Sequence, residues 1–88
     1  MISKEYTILA PEGLHARPAK EFLNLVRQFK SKVVLIKDGI TADAGSMLGI
    51  LSMQATYNSK IILEVSGEDE VHAAERFDCF FDKEIINL

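Results

Sequence analysis

The apolar residues of this chain keep changing their period, and that alternation limits the folds open to it. Ile2 to Leu9 sets Ile2, Lys4, Tyr6 and Ile8 against Ser3, Glu5, Thr7 and Leu9, the two-residue repeat of a half-buried strand. Pro11, Glu12 and Gly13 break it. From Pro18 the apolar positions Ala19, Phe22, Leu23, Val26 and Phe29 fall on one helical face. Pro18 reads as the first helical position, where its missing N–H would have no partner in any case. Lys32 to Lys37 (KVVLIK) is a β-branched strand, Asp38-Gly39 is a strong two-residue hairpin signal, and Ile40 to Asp43 is the return strand. Helical spacing comes back over Gly45 to Ala55 with Met47, Leu48, Ile50 and Leu51, and Ser46 stands where a cap belongs. Tyr57-Asn58-Ser59 is a loop, and Lys60 to Ser66 (KIILEVS) alternates as a fourth strand. After Gly67, the run Glu68-Asp69-Glu70 puts negative charge on the first turn of a last helix, as its dipole favours. That helix is expected to bury Val71, Ala74, Phe77 and Phe81, with Ala73 and Phe80 at its flanks.

The order is strand, helix, strand, strand, helix, strand, helix. In 88 residues this predicts one domain over 1–88, an α+β fold with a four-stranded sheet and its helices on one face. A net charge of −3 argues against general nucleic-acid binding. Cys79, the one cysteine, rules out an internal disulfide and suits a reducing compartment. No apolar run reaches membrane-span length. Lys4 and Glu5 interrupt the N-terminus where a signal peptide needs an apolar stretch, so a cytoplasmic location is expected, without membrane insertion.

The segment LAPEGLHARPAK, Leu9 to Lys20, carries the chemistry. His15 stands just ahead of the helix that starts near Ala16 to Pro18. The Ala16 and Arg17 amides there point outward without partners and, with the positive helix end, make an anion site. Arg17 adds a guanidinium whose fork matches phosphate oxygens. The imidazole is a nucleophile near neutral pH. A loop or N-capping histidine is the bland alternative; Gly13 before it and Arg17-Pro18 after it favour a phosphate site with its own nucleophile.

GLHARPA, Gly13 to Ala19, resembles the phosphohistidine signature of the HPr family, the histidine-containing phosphocarriers of the bacterial sugar phosphotransferase system. GSMLGILSM, Gly45 to Met53, is similar to that family's regulatory serine segment. The resemblance extends over the chain in length and element order. It implies an antiparallel open-faced β-sandwich, and a protein that is no enzyme by itself but carries phosphate covalently, without a cofactor. His15 would accept phosphate on Nδ1 from phosphorylated enzyme I and pass it to the IIA domains of sugar permeases, with Arg17 stabilising the phosphohistidine. It further implies, as in Gram-positive relatives, an ATP-dependent kinase and a phosphorylase acting at Ser46, and a transcription regulator as partner. Gly45 departs from the family's usual lysine and Gln54 from a frequent glycine.

Met47, Leu48 and Leu51 match an exposed apolar patch that the family's partners share, while Ile50 is expected in the core. Lys20 and Arg27, with Lys30, would form a basic rim for acidic partners. A solvated helix face is the plainer reading of those charges. His72 reads as a surface residue and Cys79 as a small packing residue; no metal-ligand spacing connects them. The chain is expected to act as a monomer. Two rivals to the sugar relay stay open: the paralogous nitrogen-related branch, and a purely regulatory module docking on a transcription factor or enzyme.

Overall fold

The computed structural model describes residues 1–88. The chain runs β1 (Ile2–Thr7), α1 (Ala16–Val26), β2 (Lys32–Lys37), β3 (Ile40–Asp43), α2 (Met47–Ser52), β4 (Lys60–Ser66) and α3 (Glu70–Asp82), then a 3-10 turn at Glu84–Asn87. The strands form one antiparallel sheet in the order β1-β4-β2-β3, and the helices pack on one face of it. This is the expected open-faced sandwich.

Side-chain alternation sets the register. Tyr6, Ile61, Leu63, Val65, Val33 and Leu35 turn toward the helices and are buried. Their neighbours Glu5, Ile62 and Ile36 lie in one row across the open face, and a slip of one residue would exchange the two sets. Asp38 (φ 54°) and Gly39 (φ 80°) make the two-residue turn between β2 and β3, both left-handed as a type I′ hairpin requires. Between the layers Phe22 meets Phe77 and Phe81 edge to face, at 5.4 and 5.1 Å between ring centres, and Tyr6 stacks on Phe81 at 4.8 Å.

Several boundaries differ from the sequence reading. α1 begins at Ala16, so Pro18 is its third residue, not its first. The reason is the same one that favours proline at a helix start: every amide of the opening turn lacks an intrahelical acceptor, and the first such bond runs from Ala19 N–H to the His15 carbonyl (3.0 Å). α1 stops at Val26, leaving Phe29 beyond it, and buries Leu25 as well. α2 is a short helix, Met47–Ser52, within the longer run expected from spacing. It ends because Gln54 turns left-handed (φ 50°), a conformation that costs an L side chain roughly 1–2 kcal/mol. In α3, Val71 is 62% exposed, whereas Ala73 and Phe80 belong to the core. The buried face of α3 is Ala73, Ala74, Phe77, Phe80 and Phe81, and Ile85 in the following 3-10 turn is also fully buried.

The acidic run before α3 is divided in its use. Asp69 turns back and accepts hydrogen bonds from the amides of Lys30 (2.8 Å) and Ser31 (2.9 Å) and from the Ser31 hydroxyl, tying the α1–β2 turn to α3. The Ser31 hydroxyl, then the Lys30 amide, hold its carboxyl below the usual range. Only Glu70 remains in the first turn of α3.

On edge strand β1, Lys4 shares the helix-facing side with Tyr6. Its ammonium donates to Asp78 of α3 at 2.6 Å, and the Tyr6 hydroxyl donates to the other carboxylate oxygen. Burial first, and the Asp78 bond second, push the Tyr6 hydroxyl well above its ordinary range. Partial burial acts to raise Asp78, but the bonds from Lys4 and Tyr6 outweigh it and leave the carboxyl lowered. An inward-pointing charged residue on an edge strand also discourages pairing with other chains.

Candidate functional site

The loop between β1 and α1 is shaped by Gly13. Its amide closes a turn onto the Ala10 carbonyl (2.9 Å), and its φ of +77° suits glycine. A Cβ at this position would lie 2.6 Å from the Ala55 carbonyl oxygen and 2.9 Å from Thr56 Cα. The next amide, Leu14, donates to that same Ala55 carbonyl at 2.7 Å, and the Leu14 side chain is buried. Two loops far apart in sequence are thereby joined directly beside His15.

His15 is the N-cap of α1, with extended backbone (φ −83°, ψ −168°) and no capping bond from its side chain. The ring is therefore free, with its side chain 36% exposed. It lies at an open depression of about 210 Å³ lined by Glu12, Leu14, His15, Gln54, Ala55 and Thr56. That is below the roughly 300–1,000 Å³ of small-molecule pockets, so the place suits a group carried on the ring better than a free substrate. The Glu12 carboxylate stands 3.9 Å from His15 Nε2. Ala16 and Arg17 occupy the first two helical positions, where backbone amides have no intrahelical acceptor. The Arg17 side chain is exposed and makes no ion pair, so its guanidinium is available to an anion.

Ser46 caps α2: its hydroxyl oxygen accepts from the Gly49 amide at 3.2 Å. Gly49 is needed for the approach of α2 to β3, since a Cβ there would lie 2.7 Å from the Asp43 carbonyl. Leu48 is 81% exposed and Leu51 36%, while Met47 is half-buried against the core and Ile50 is fully buried. α1 packs on α2, and Lys20, Arg27 and Lys30 are all exposed. Met47 thus belongs only in part to the apolar surface expected of it. His72 and Cys79 are exposed on α3. Cys79 is therefore no packing residue; the core-facing positions of α3 are taken by Phe77, Phe80 and Phe81. No group of His, Cys, Asp and Glu is placed to hold a metal ion, and no helix is long and apolar enough to cross a membrane.

Sequence reasoning missed the floor and rim of the depression. Glu12 read only as a strand breaker, although its position three residues before His15 was visible. At Gln54 the sequence shows a departure from glycine, but neither its left-handed backbone nor its place in the depression. Nothing local marks Thr56.

With this geometry in place, the comparison with known proteins is decisive. The family description "PTS HPr component phosphorylation site" matches residues 2–83. The chain belongs to the HPr family. Its sequence is 36% identical to the phosphocarrier protein HPr of Treponema pallidum, over 92% of each chain. Among solved structures it is similar to HPr from Thermoanaerobacter tengcongensis, with a TM-score of 0.92 and 28% identity over 97% of this chain and 96% of that one. It is also similar to Crh, the Bacillus subtilis catabolite repression HPr. That match has a TM-score of 0.76 and 32% identity over 97% of this chain and 98% of the other. That Crh structure is a domain-swapped dimer, so a monomer is not a constant of HPr-like chains. HPr proteins are phosphocarriers of the phosphotransferase system, and Crh adds a regulatory branch in carbon catabolite repression.

Proposed function

We propose that this HPr-family chain is a phosphoryl relay of the sugar phosphotransferase system, accepting phosphate from enzyme I on His15 and handing it to IIA domains of sugar permeases. One observation carries the reading: the His15 ring is free of any cap bond at the start of α1 and lines an open depression, while Arg17, two residues on in the first turn, is exposed and unpaired. The Nδ1 lone pair forms the bond to phosphorus while the bond from phosphorus to the donor's leaving atom breaks, its electron pair staying with the donor. The Glu12 carboxylate stands 3.9 Å from Nε2, on the other side of the ring from the proposed nucleophile Nδ1. The Ala16 and Arg17 amides and the Arg17 side chain neutralise the phosphoryl charge. The chain turns over no substrate alone; it stores the group between two partners in the cytoplasm, meeting one partner at a time as a monomer.

Partners would dock over Leu48, Leu51 and the exposed part of Met47, with Lys20 and Arg27 steering acidic surfaces. Ser46, at the start of the helix that presents this patch, is the proposed site of a kinase and phosphorylase. A second reading has its own support. The likeness to Crh and the exposure of Leu48 suit a regulatory module that docks on a transcription regulator. The readings separate in one assay. Enzyme I and phosphoenolpyruvate are supplied with this chain, and a IIA domain is then added. Phosphate appearing on IIA only when this chain is present supports the relay; phosphate that stays on His15 favours the regulatory module.

A further inference from the structure

Three residues other than glycine have positive φ: Asp38, Gln54 and Asn58. Aspartate and asparagine tolerate the left-handed region because their short polar side chains bond locally. Asp38 has in addition a hairpin that demands it. Gln54 stands where α2 ends, a left-handed place that usually falls to glycine or asparagine. Its side chain is long and exposed, and it makes no hydrogen bond in the protein. The backbone cost of a residue other than glycine here is thus offset by no side-chain bond in the resting chain. Strained residues of this kind concentrate where a site needs them, and this one lines the depression beside His15.

The chemistry of that depression says what Gln54 can supply. Glu12 is a carboxylate and Leu14 and Ala55 are apolar, which leaves the Thr56 hydroxyl and the Gln54 amide as side-chain donors apart from His15 itself, and of these Gln54 has the longer reach and two N–H groups. The backbone amides of Leu14 and Gln54 are committed to Ala55 and Leu51. A phosphoryl group on His15 carries oxygen acceptors and meets the Glu12 charge in the same space, so an uncharged donor opposite has a use.

We infer that Gln54 is a further binding residue for the phosphoryl group, its side-chain amide donating to a phosphoryl oxygen once His15 is modified. The inference rests on His15 being the phosphoacceptor, though not on which proteins supply or remove the group.

The test accordingly uses phosphoramidate, a small phosphoryl donor that needs no partner protein. The His15 Nδ1 pair forms the new N–P bond, the donor's P–N bond breaks, and its nitrogen keeps that pair, takes up a proton and leaves as ammonia. Intact mass follows the rate of labelling and the decay of the phosphohistidine in wild type, Gln54→Gly and Gln54→Leu. Glycine relieves the backbone and removes the donor; leucine removes the donor and keeps both bulk and strain. Gln54→Gly should raise the melting temperature by a few degrees, yet label about three- to tenfold more slowly, the loss of one hydrogen bond. Gln54→Leu should show the same slowing without the thermal gain. Wild-type labelling and decay in both variants would overturn the role of Gln54 while leaving His15 as acceptor. His15→Ala labelling as fast as wild type would overturn both.

Discussion

The Leu14 amide and the Ala55 carbonyl meet at 2.7 Å, and Gly13 is the residue that lets them. This contact fixes the histidine loop to the segment after α2, so the fold holds the ring from outside its own helix. A methyl group at Gly13 would collide with backbone on that side and would also sit at φ +77°. Gly13→Ala should therefore cost about 2 kcal/mol or more, from left-handed strain plus a clash that backbone cannot easily relieve. Urea unfolding checks this, with Gly45→Ala as a control: a Cβ there meets only the Asp43 side chain, at 3.2 Å, and should cost much less.

Arg17 has no partner in the resting protein, so its removal should leave the melting temperature nearly unchanged. Its contribution appears only with phosphate present. A charge-assisted hydrogen bond is worth roughly 1.5–3 kcal/mol, so Arg17→Ala should slow phosphorylation of His15 about ten- to a hundredfold. Arg17→Lys restores charge without the fork and should recover part of that rate. Unchanged kinetics in Arg17→Ala would make the residue a bystander.

Ser46 has two separable roles. As a cap it accepts from Gly49, so Ser46→Ala should cost about 1 kcal/mol. Aspartate caps as well as serine and adds a charge favoured at a helix start, so Ser46→Asp should keep or slightly raise stability. The same charge stands at the head of the helix that exposes Leu48, where a partner must desolvate apolar surface. Ser46→Asp should therefore raise the Michaelis constant for enzyme I. Equal constants would leave Ser46 a cap and nothing more.

The Asp78 carboxyl is lowered in the folded chain, so its contribution to stability has a definite sign with pH. It is fully present above the unfolded value near 4 and is lost as pH falls through the lower folded value. Asp78→Asn should destabilise at pH 7, and the gap from wild type should shrink as the pH is taken below about 4. Urea midpoints for both proteins across that range check it; a gap independent of pH would mean that the carboxylate charge contributes nothing.

How far these features could be read from the sequence varies with their physical origin. The hairpin at Asp38-Gly39, the alternation of β4 and the start of α1 beside His15 are local, since turn chemistry and side-chain period set them. What eluded local reading depends on distant contacts. Val71 is exposed and Phe80 buried, a rotation of the α3 stripe settled by packing on the sheet and α1. Asp69 left its helix dipole for the Lys30–Ser31 amides across the fold. At the site, His15 and Arg17 share one short motif and were readable together. Gln54 and Thr56 line the depression with His15 because Gly13 and Leu14 lie against Ala55, a contact between segments distant in the sequence.

Acceptance of phosphate by His15 is the central claim, and intact mass after incubation with enzyme I and phosphoenolpyruvate tests it most directly. Wild type should gain one phosphoryl group, labile in acid and stable in base, and His15→Ala should gain none while unfolding as a native protein does. A phosphoryl group that appears on His15→Ala, on His72 or any other residue, would contradict the account.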